Sequence, residues 1–164
     1  MKIGITGHTS GIGKAIYNYF PNTVGFSRTN GYDIKYNIDE IIEDCDGCDV
    51  FINNAYDDHA QIDLLYALID KHPLMQIINI SSNSSDGITG KIHKYAIYKA
   101  GLDKASEQMF RVGYNVTNLK FGWINTPRVS HKNVKKIEQE YVVDIIKWVL
   151  NQKHRIKEMN ISPW

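Results

Sequence analysis

Charge of one sign, long apolar runs and cysteine are all scarce in this chain, and each scarcity removes a class of function. The 164 residues carry 19 Lys+Arg against 18 Asp+Glu, a formal net charge of +1. Such a balance leaves no broad field to steer nucleic acid or an anionic membrane toward the protein. No apolar run approaches the roughly 20 residues that span a bilayer, and Met1-Lys2-Ile3-Gly4-Ile5 leads directly into a strand-like pattern instead of a signal peptide. A soluble cytoplasmic protein that binds neither nucleic acid nor membrane is expected. The two cysteines, Cys45 and Cys48, have the C-x-x-C spacing of a redox couple or half a zinc site. A second ligand pair is missing, and Asp44, Asp46 and Asp49 around them oppose the low thiol pKa that reactivity needs, so they read as reduced and structural. The six histidines form no metal-ligand spacing, and no metal is expected. Repeats, linkers and low-complexity segments are absent from the sequence, and its length and 43% hydrophobic content suit one domain, 1–164, around one core.

What the chain does contain is an alternation of short apolar runs with helical periodicity, the pattern of a parallel sheet covered on both faces. Lys2 to Thr6 reads as a buried first strand. Ile12, Ile16, Tyr19 and Phe20 recur at helical spacing until Pro21-Asn22, and Thr23 to Ser27 forms a second strand, completing a right-handed βαβ unit. Arg28 to Gly31 leaves no room for a helix before a third short extended stretch, Tyr32-Asp33-Ile34. Asn37 or Asp39 caps a helix through Glu43, Val50 to Asn53 is a fourth strand, and Ile62, Leu65, Tyr66 and Ile69 mark a helix ended by His72-Pro73. Gln76 to Ile80 is a fifth strand, a long helix runs from His93 to about Arg111, and Asn115 to Phe121 is a sixth strand. Val142, Ile145, Ile146 and Val149 define the last helix, and Met159 to Ile161 adds a short strand at the sheet edge.

Thr6-Gly7-His8-Thr9-Ser10-Gly11-Ile12-Gly13 joins the first strand to the first helix. Glycines there let the backbone approach a pyrophosphate, and the helix N–H groups can receive it. This T-G-x-x-x-G-x-G spacing is followed, in order, by Asn53-Asn54-Ala55, Ser81-Ser82, Tyr95-x-x-x-Lys99 and Gly122-Trp123-Ile124-Asn125-Thr126. The series resembles the short-chain dehydrogenase/reductase family over residues 1 to about 127. The resemblance implies an α/β fold: a Rossmann-type, doubly wound, mostly parallel sheet of six to seven strands in the order 3-2-1-4-5-6-7. It also implies a nicotinamide cofactor. Gly7, Thr9, Ser10, Gly11, Ile12 and Gly13 would hold its phosphates, Asp33 and Ile34 would sit beside the adenine, and Asn53, Asn54 and Ala55 would line the cleft. Tyr95 and Lys99 would hold the nicotinamide end, with Ile124 and Thr126 at the carboxamide. Relatives often pair through the helices after the fourth and fifth strands, which implies a homo-oligomer.

An acidic side chain at the end of the second strand accepts hydrogen bonds from the adenosine ribose of NAD, whereas the 2'-phosphate of NADP needs a cation. Here the place reads Ser27-Arg28. The missing carboxylate and the guanidinium favour NADP(H) over NAD(H).

Tyr95 and Lys99 stand four residues apart on a predicted helix, which sets their Cβ atoms within roughly 6 Å. Bringing a phenol from about 10 to near neutrality requires roughly 4 kcal/mol. An ammonium about 4 Å away at an effective dielectric near 20 supplies about that amount. Tyr98 is also next to the lysine, but its spacing points it elsewhere. By the resemblance, Ser82 polarises a substrate carbonyl while Tyr95 passes it a proton; Ser81 should face the other side of the strand, with Ser84 and Ser85 in the loop. A small-molecule carbonyl or alcohol is the implied substrate.

Ordinary members of that family are longer. The second helix is reduced to a turn, and the helix asparagine of the usual proton relay has no match, Gln61 and Asp63 being the substitutes in reach. Phe121 replaces a proline, and only Pro127 to about Gln139 remains where a lid normally covers the substrate. Arg128, His131, Lys132, Lys135 and Lys136 make that segment positive, which suits either an anionic substrate or a solvated loop, and His8 reads as a loop residue. Two other functions stay open: a regulatory protein that senses NADP redox state, and an epimerase or dehydratase that uses the nicotinamide transiently.

Overall fold

The alternation of apolar residues builds a sheet with two buried faces. The computed structural model describes residues 1–87 and 91–163. Among them, β1 (Ile3–Thr6), β2 (Thr23–Phe26), β3 (Val50–Asn53), β4 (Gln76–Ser82), β5 (Val116–Phe121) and β6 (Glu158–Ile161) form one sheet. Its order is β2-β1-β3-β4-β5-β6, and every neighbouring pair is parallel. Parallel neighbours require crossovers, which α1 (Gly11–Tyr19), α2 (Ile38–Asp44), α3 (Ala60–Lys71), α4 (Lys94–Val112) and α5 (Gln139–Leu150) provide.

Because successive strand residues point to opposite faces, each strand feeds two cores. Ile3, Ile5, Val50, Ile52, Ile78, Ile80, Leu119 and Phe121 pack beneath α1 and α5. Phe26, Phe51, Ile77 and Val116 pack beneath α2, α3 and α4. Gly4 lacks a side chain where one would strike the Phe51 ring at 2.7 Å, and this gap lets Phe26 and Phe51 stack with centroids 5.9 Å apart.

The stretch Tyr32-Asp33-Ile34 is not a strand. Tyr32 N donates to Ser27 O at 2.9 Å, Asn37 N to Asp33 O at 2.8 Å, and Lys35 N to Asp33 Oδ1 at 2.9 Å. Turns on both sides use these backbone groups, so no ladder edge remains. The expected order therefore loses its first member, and β2 forms the sheet's edge. Elsewhere the doubly wound architecture is as the sequence implies. The chain leaves β1 for β2 on one side and reaches β3 on the other, which opens a crevice above the carboxyl ends of β1 and β3, where α/β sheets bind ligands.

Candidate functional site

The glycine loop is shaped by close backbone contact. Gly7 and Gly11 have φ of +73° and +52°, which side chains resist. A Cβ on Gly13 would lie 2.1 Å from Gly7 O, so the first turn of α1 rests directly on the loop. The end of β3 holds it from below: Thr6 Oγ1 accepts from the N–H groups of Asn54 and Ala55 at 2.9 Å each, and Asn54 Nδ2 donates to Thr6 O at 2.9 Å. Ser10, the N-cap of α1, makes no side-chain capping bond, and the first turn carries no acid. The free N–H groups of that turn keep their capacity for an anion. Thr9 and Ser10 are exposed, while Ile12 packs on the core. Thr126 closes the loop from across the crevice, its Cγ2 3.5 Å from where a Gly11 Cβ would be. This cradle fits a dinucleotide pyrophosphate.

After β2, Ser27 is buried and its hydroxyl is spent inside a short 3-10 turn, bonded to Thr29 Oγ1 at 2.7 Å and Asn30 Oδ1 at 3.0 Å. Arg28 projects from that turn, exposed, with no ion pair among the described residues. Asp33 is half-buried at the following turn, and Ile34 is buried in the core. The His8 ring packs on Tyr17 at 4.9 Å and fills the space over Gly25.

Ser82, Tyr95 and Lys99 come together at the carboxyl end of β4. Lys99 Nζ lies 5.6 Å from the Tyr95 ring centroid and 5.5 Å from that of Tyr56, which meets Tyr95 edge-on at 4.7 Å. Lys99 is only 3% exposed, and its Nζ donates to Gln61 Oε1 at 2.8 Å and Ile80 O at 2.7 Å. Burial pushes its pKa from 10.5 down to about 7, with the Asp103 charge opposing. Burial also raises the Tyr95 phenol, against a hydrogen bond with the Ser82 hydroxyl and the charge of Arg128. The expected lowering of the phenol is thus not found: the Lys99 amine is held by Gln61 and Ile80, and desolvation dominates both groups. Ser82 caps the 3-10 turn Asn83–Asp86, its Oγ accepting from Ser84 N at 3.2 Å.

Gln61 is the residue that the motifs alone did not single out. It is 2% exposed, and its Nε2 donates to Asn53 O at 2.5 Å and Ile80 O at 3.2 Å. Asn53 is fully buried, with its Nδ2 on Gln61 O at 2.8 Å and Asn79 Oδ1 at 2.9 Å, while Asn79 Nδ2 reaches Ser106 Oγ at 2.9 Å. The Asn53 side chain therefore belongs to a polar chain beneath the crevice, leaving Asn54 and Ala55 at its floor. Asp63, the other relay substitute, instead faces His59 on the surface of α3 at 3.4 Å.

Under α4, Ser81 Oγ donates to Asp103 Oδ1 at 2.5 Å, Asn118 Nδ2 to the same oxygen at 2.9 Å, and Ser85 Oγ to Asp103 Oδ2. Lys120 is buried between Asp86 and Asp103. Ser81 thus faces away from Ser82, as strand alternation requires. The spacing Lys99 to Asp103 put the acid on the right helix face, but nothing in the sequence named its strand partners.

Cys45 and Cys48 are free thiols buried in the α2–α3 core. Burial raises both, Cys45 to about 12, which leaves them unreactive. No group of three or more potential metal ligands exists among the described residues, and no helix there is long and apolar enough to cross a membrane.

The sequence matches no family model and no curated protein. Its fold does match solved structures. Serine dehydrogenase from Escherichia coli superimposes with a TM-score of 0.78 at 16% identity, over 98% of this chain and 97% of that one. The 3-alpha-hydroxysteroid dehydrogenase of a Pseudomonas species, complexed with NADH, gives 0.75 at 14% identity, over 99% and 95%. A short chain dehydrogenase of Burkholderia cenocepacia, complexed with NADP, gives 0.75 at 16%, over 98% and 90%.

Proposed function

We propose that this chain, which has the fold of the short-chain dehydrogenases and reductases, is an NADP(H)-dependent oxidoreductase that interconverts a carbonyl and an alcohol. The observation that carries this reading is the convergence of Ser82, Tyr95 and Lys99 beside the glycine cradle at one end of the sheet. A bound nicotinamide would supply or accept the hydride. Tyr95 gives the carbonyl oxygen its proton, or takes the proton from the alcohol, and Ser82 hydrogen-bonds that oxygen. Lys99, with a pKa of about 7, exchanges a proton readily near neutral pH, and Gln61 fixes where its amine sits. Arg28 is free to pair with a 2'-phosphate, and Ser27 brings no carboxylate to repel it.

The test is Tyr95→Phe in an NADPH-consumption assay over a panel of aldehydes and ketones, with calorimetric NADPH titration of both proteins. The variant should bind NADPH as the wild type does and lose turnover by at least about a hundredfold, the low end of general acid–base contributions. Undiminished turnover would remove Tyr95 from the chemistry. Tight NADPH binding without turnover in the wild type would instead favour a protein that senses NADP(H).

A further inference from the structure

The shortened segment after β5 is a closed loop with a one-signed charge. Ile124 and Ile137 pair at its base, where Ile137 N donates to Trp123 O and Asn125 N to Ile137 O, both at 2.8 Å. Gln139 Nε2 adds a bond to Asn125 O at 2.7 Å, and Asn125 Nδ2 one to Glu138 Oε2 at 2.9 Å. The loop is therefore pinned where it leaves and rejoins the body. Between Pro127 and Ile137 lie Arg128, Lys132, Lys135 and Lys136, with His131 and no acid. None of these residues makes an ion pair among the described residues.

Exposed lysines ordinarily need only water, so most of this charge calls for no ligand. Arg128 differs in place. It sits in the 3-10 turn Pro127–Val129, next to Thr126, which closes on Gly11. Its charge opposes the burial that raises the Tyr95 phenol. A planar guanidinium with two parallel N–H groups, without an ion pair among the described residues and in the turn that Thr126 begins at the crevice, matches a carboxylate or a phosphate in a bidentate fork.

We propose that Arg128 is the anion-binding fork of the substrate site, so that the substrate is a carbonyl compound, or its alcohol, carrying a carboxylate or phosphate group. The proposal rests on the oxidoreductase reading. Arg128 orients such an anion with the carbonyl toward Ser82 and Tyr95, and the loop lysines stay solvated.

The test uses NADP+-loaded protein, in which an aldehyde binds without being reduced. Calorimetry compares 4-carboxybenzaldehyde with its methyl ester, and glyceraldehyde 3-phosphate with glyceraldehyde, on the wild type, Arg128→Gln and Lys135→Gln. An anionic probe should bind about tenfold or more tightly than its neutral partner. Arg128→Gln should erase that preference while NADPH affinity stays within about twofold, and Lys135→Gln should keep it. The pair that shows the preference tells carboxylate from phosphate. Equal or undetectable binding within both pairs overturns the proposal. So does an Arg128→Gln variant that loses NADPH affinity yet keeps the anion preference, since Arg128 would then serve the cofactor's own phosphates. NADPH consumption with the same probes separates the two readings: turnover indifferent to probe charge sinks only the role of Arg128, and a preference in binding without any turnover sinks only the oxidoreductase.

Discussion

A buried lysine makes stability depend on pH in a direction opposite to that of a lysine whose pKa an acidic partner raises. Lys99 has a folded pKa of about 7 against its ordinary 10.5. Between those values the unfolded chain holds the proton and the folded one does not, so stability rises with pH across the window. Below about 7 both states are protonated, and the cost of burying the ammonium is present in full. Replacing Lys99 by Met removes this dependence. In urea unfolding at pH 6, 8 and 10, the stability of Lys99→Met relative to wild type should be most favourable at pH 6 and decline steadily toward pH 10. A difference that stays constant would mean that Lys99 keeps an ordinary pKa. Gly13 is constrained by space instead of charge. Gly13→Ala sets a methyl against Gly7 O and should cost about 2–3 kcal/mol, as overpacking does, and abolish NADPH binding by calorimetry. Gly113→Ala, at φ +121° with nothing within 4 Å, should lower stability through strain alone and leave binding intact.

Between residues and fold stand the elements, and β4, α4 and β5 are joined at the site by one carboxylate. Asp103 is pushed up by burial, but hydrogen bonds from Ser81, Ser85, Asn118 and Lys120 together hold it below its ordinary 3.8. A carboxylate depressed in the folded state stabilises above its unfolded pKa, and that contribution is lost as pH falls through the folded value. Asp103→Asn should therefore cost about 3–4 kcal/mol at pH 7, within the range for breaking a buried pair, and flatten the loss of stability below about pH 4 in acid unfolding. An unchanged acid limb would mean that Lys120 and Asp86 carry the network alone. The elements themselves were legible in the sequence, because apolar period and punctuation report which face is buried. Tyr32-Asp33-Ile34 was not: three residues with strand-like side chains say nothing about turns that claim their backbone bonds. The glycine cradle and the Ser82, Tyr95 and Lys99 cluster were legible as motifs. Gln61 was legible only as one of two relay substitutes beside Asp63, since its contacts come from α3 crossing the ends of β3 and β4, and no spacing rule encodes that crossing. Nor could the spacing of Tyr95 and Lys99 show that Gln61 and Ile80 hold the amine, or that burial raises the phenol.

For the molecule as a whole, the cofactor proposal becomes a statement about folding, because a ligand that binds only the native state stabilises all of it. At a hundred times its dissociation constant, a cofactor adds about 2.7 kcal/mol. At about 2–4 °C per kcal/mol for a chain of this size, Tm should rise by about 5–10 °C. If Arg28 receives a 2'-phosphate, NADPH should give this shift in wild type at a concentration where NADH gives markedly less. Arg28 is exposed and unpaired among the described residues, so Arg28→Glu should leave the fold and the cofactor-free Tm within about 1 °C, as surface substitutions usually do. The same change sets a carboxylate against the 2'-phosphate and offers the ribose hydroxyls of NADH an acceptor. The variant should therefore lose the NADPH shift and keep or gain the NADH shift, as followed by thermal unfolding with each cofactor. Both shifts falling together would place Arg28 on a feature the two cofactors share, and a larger NADH than NADPH shift in wild type would reverse the assignment.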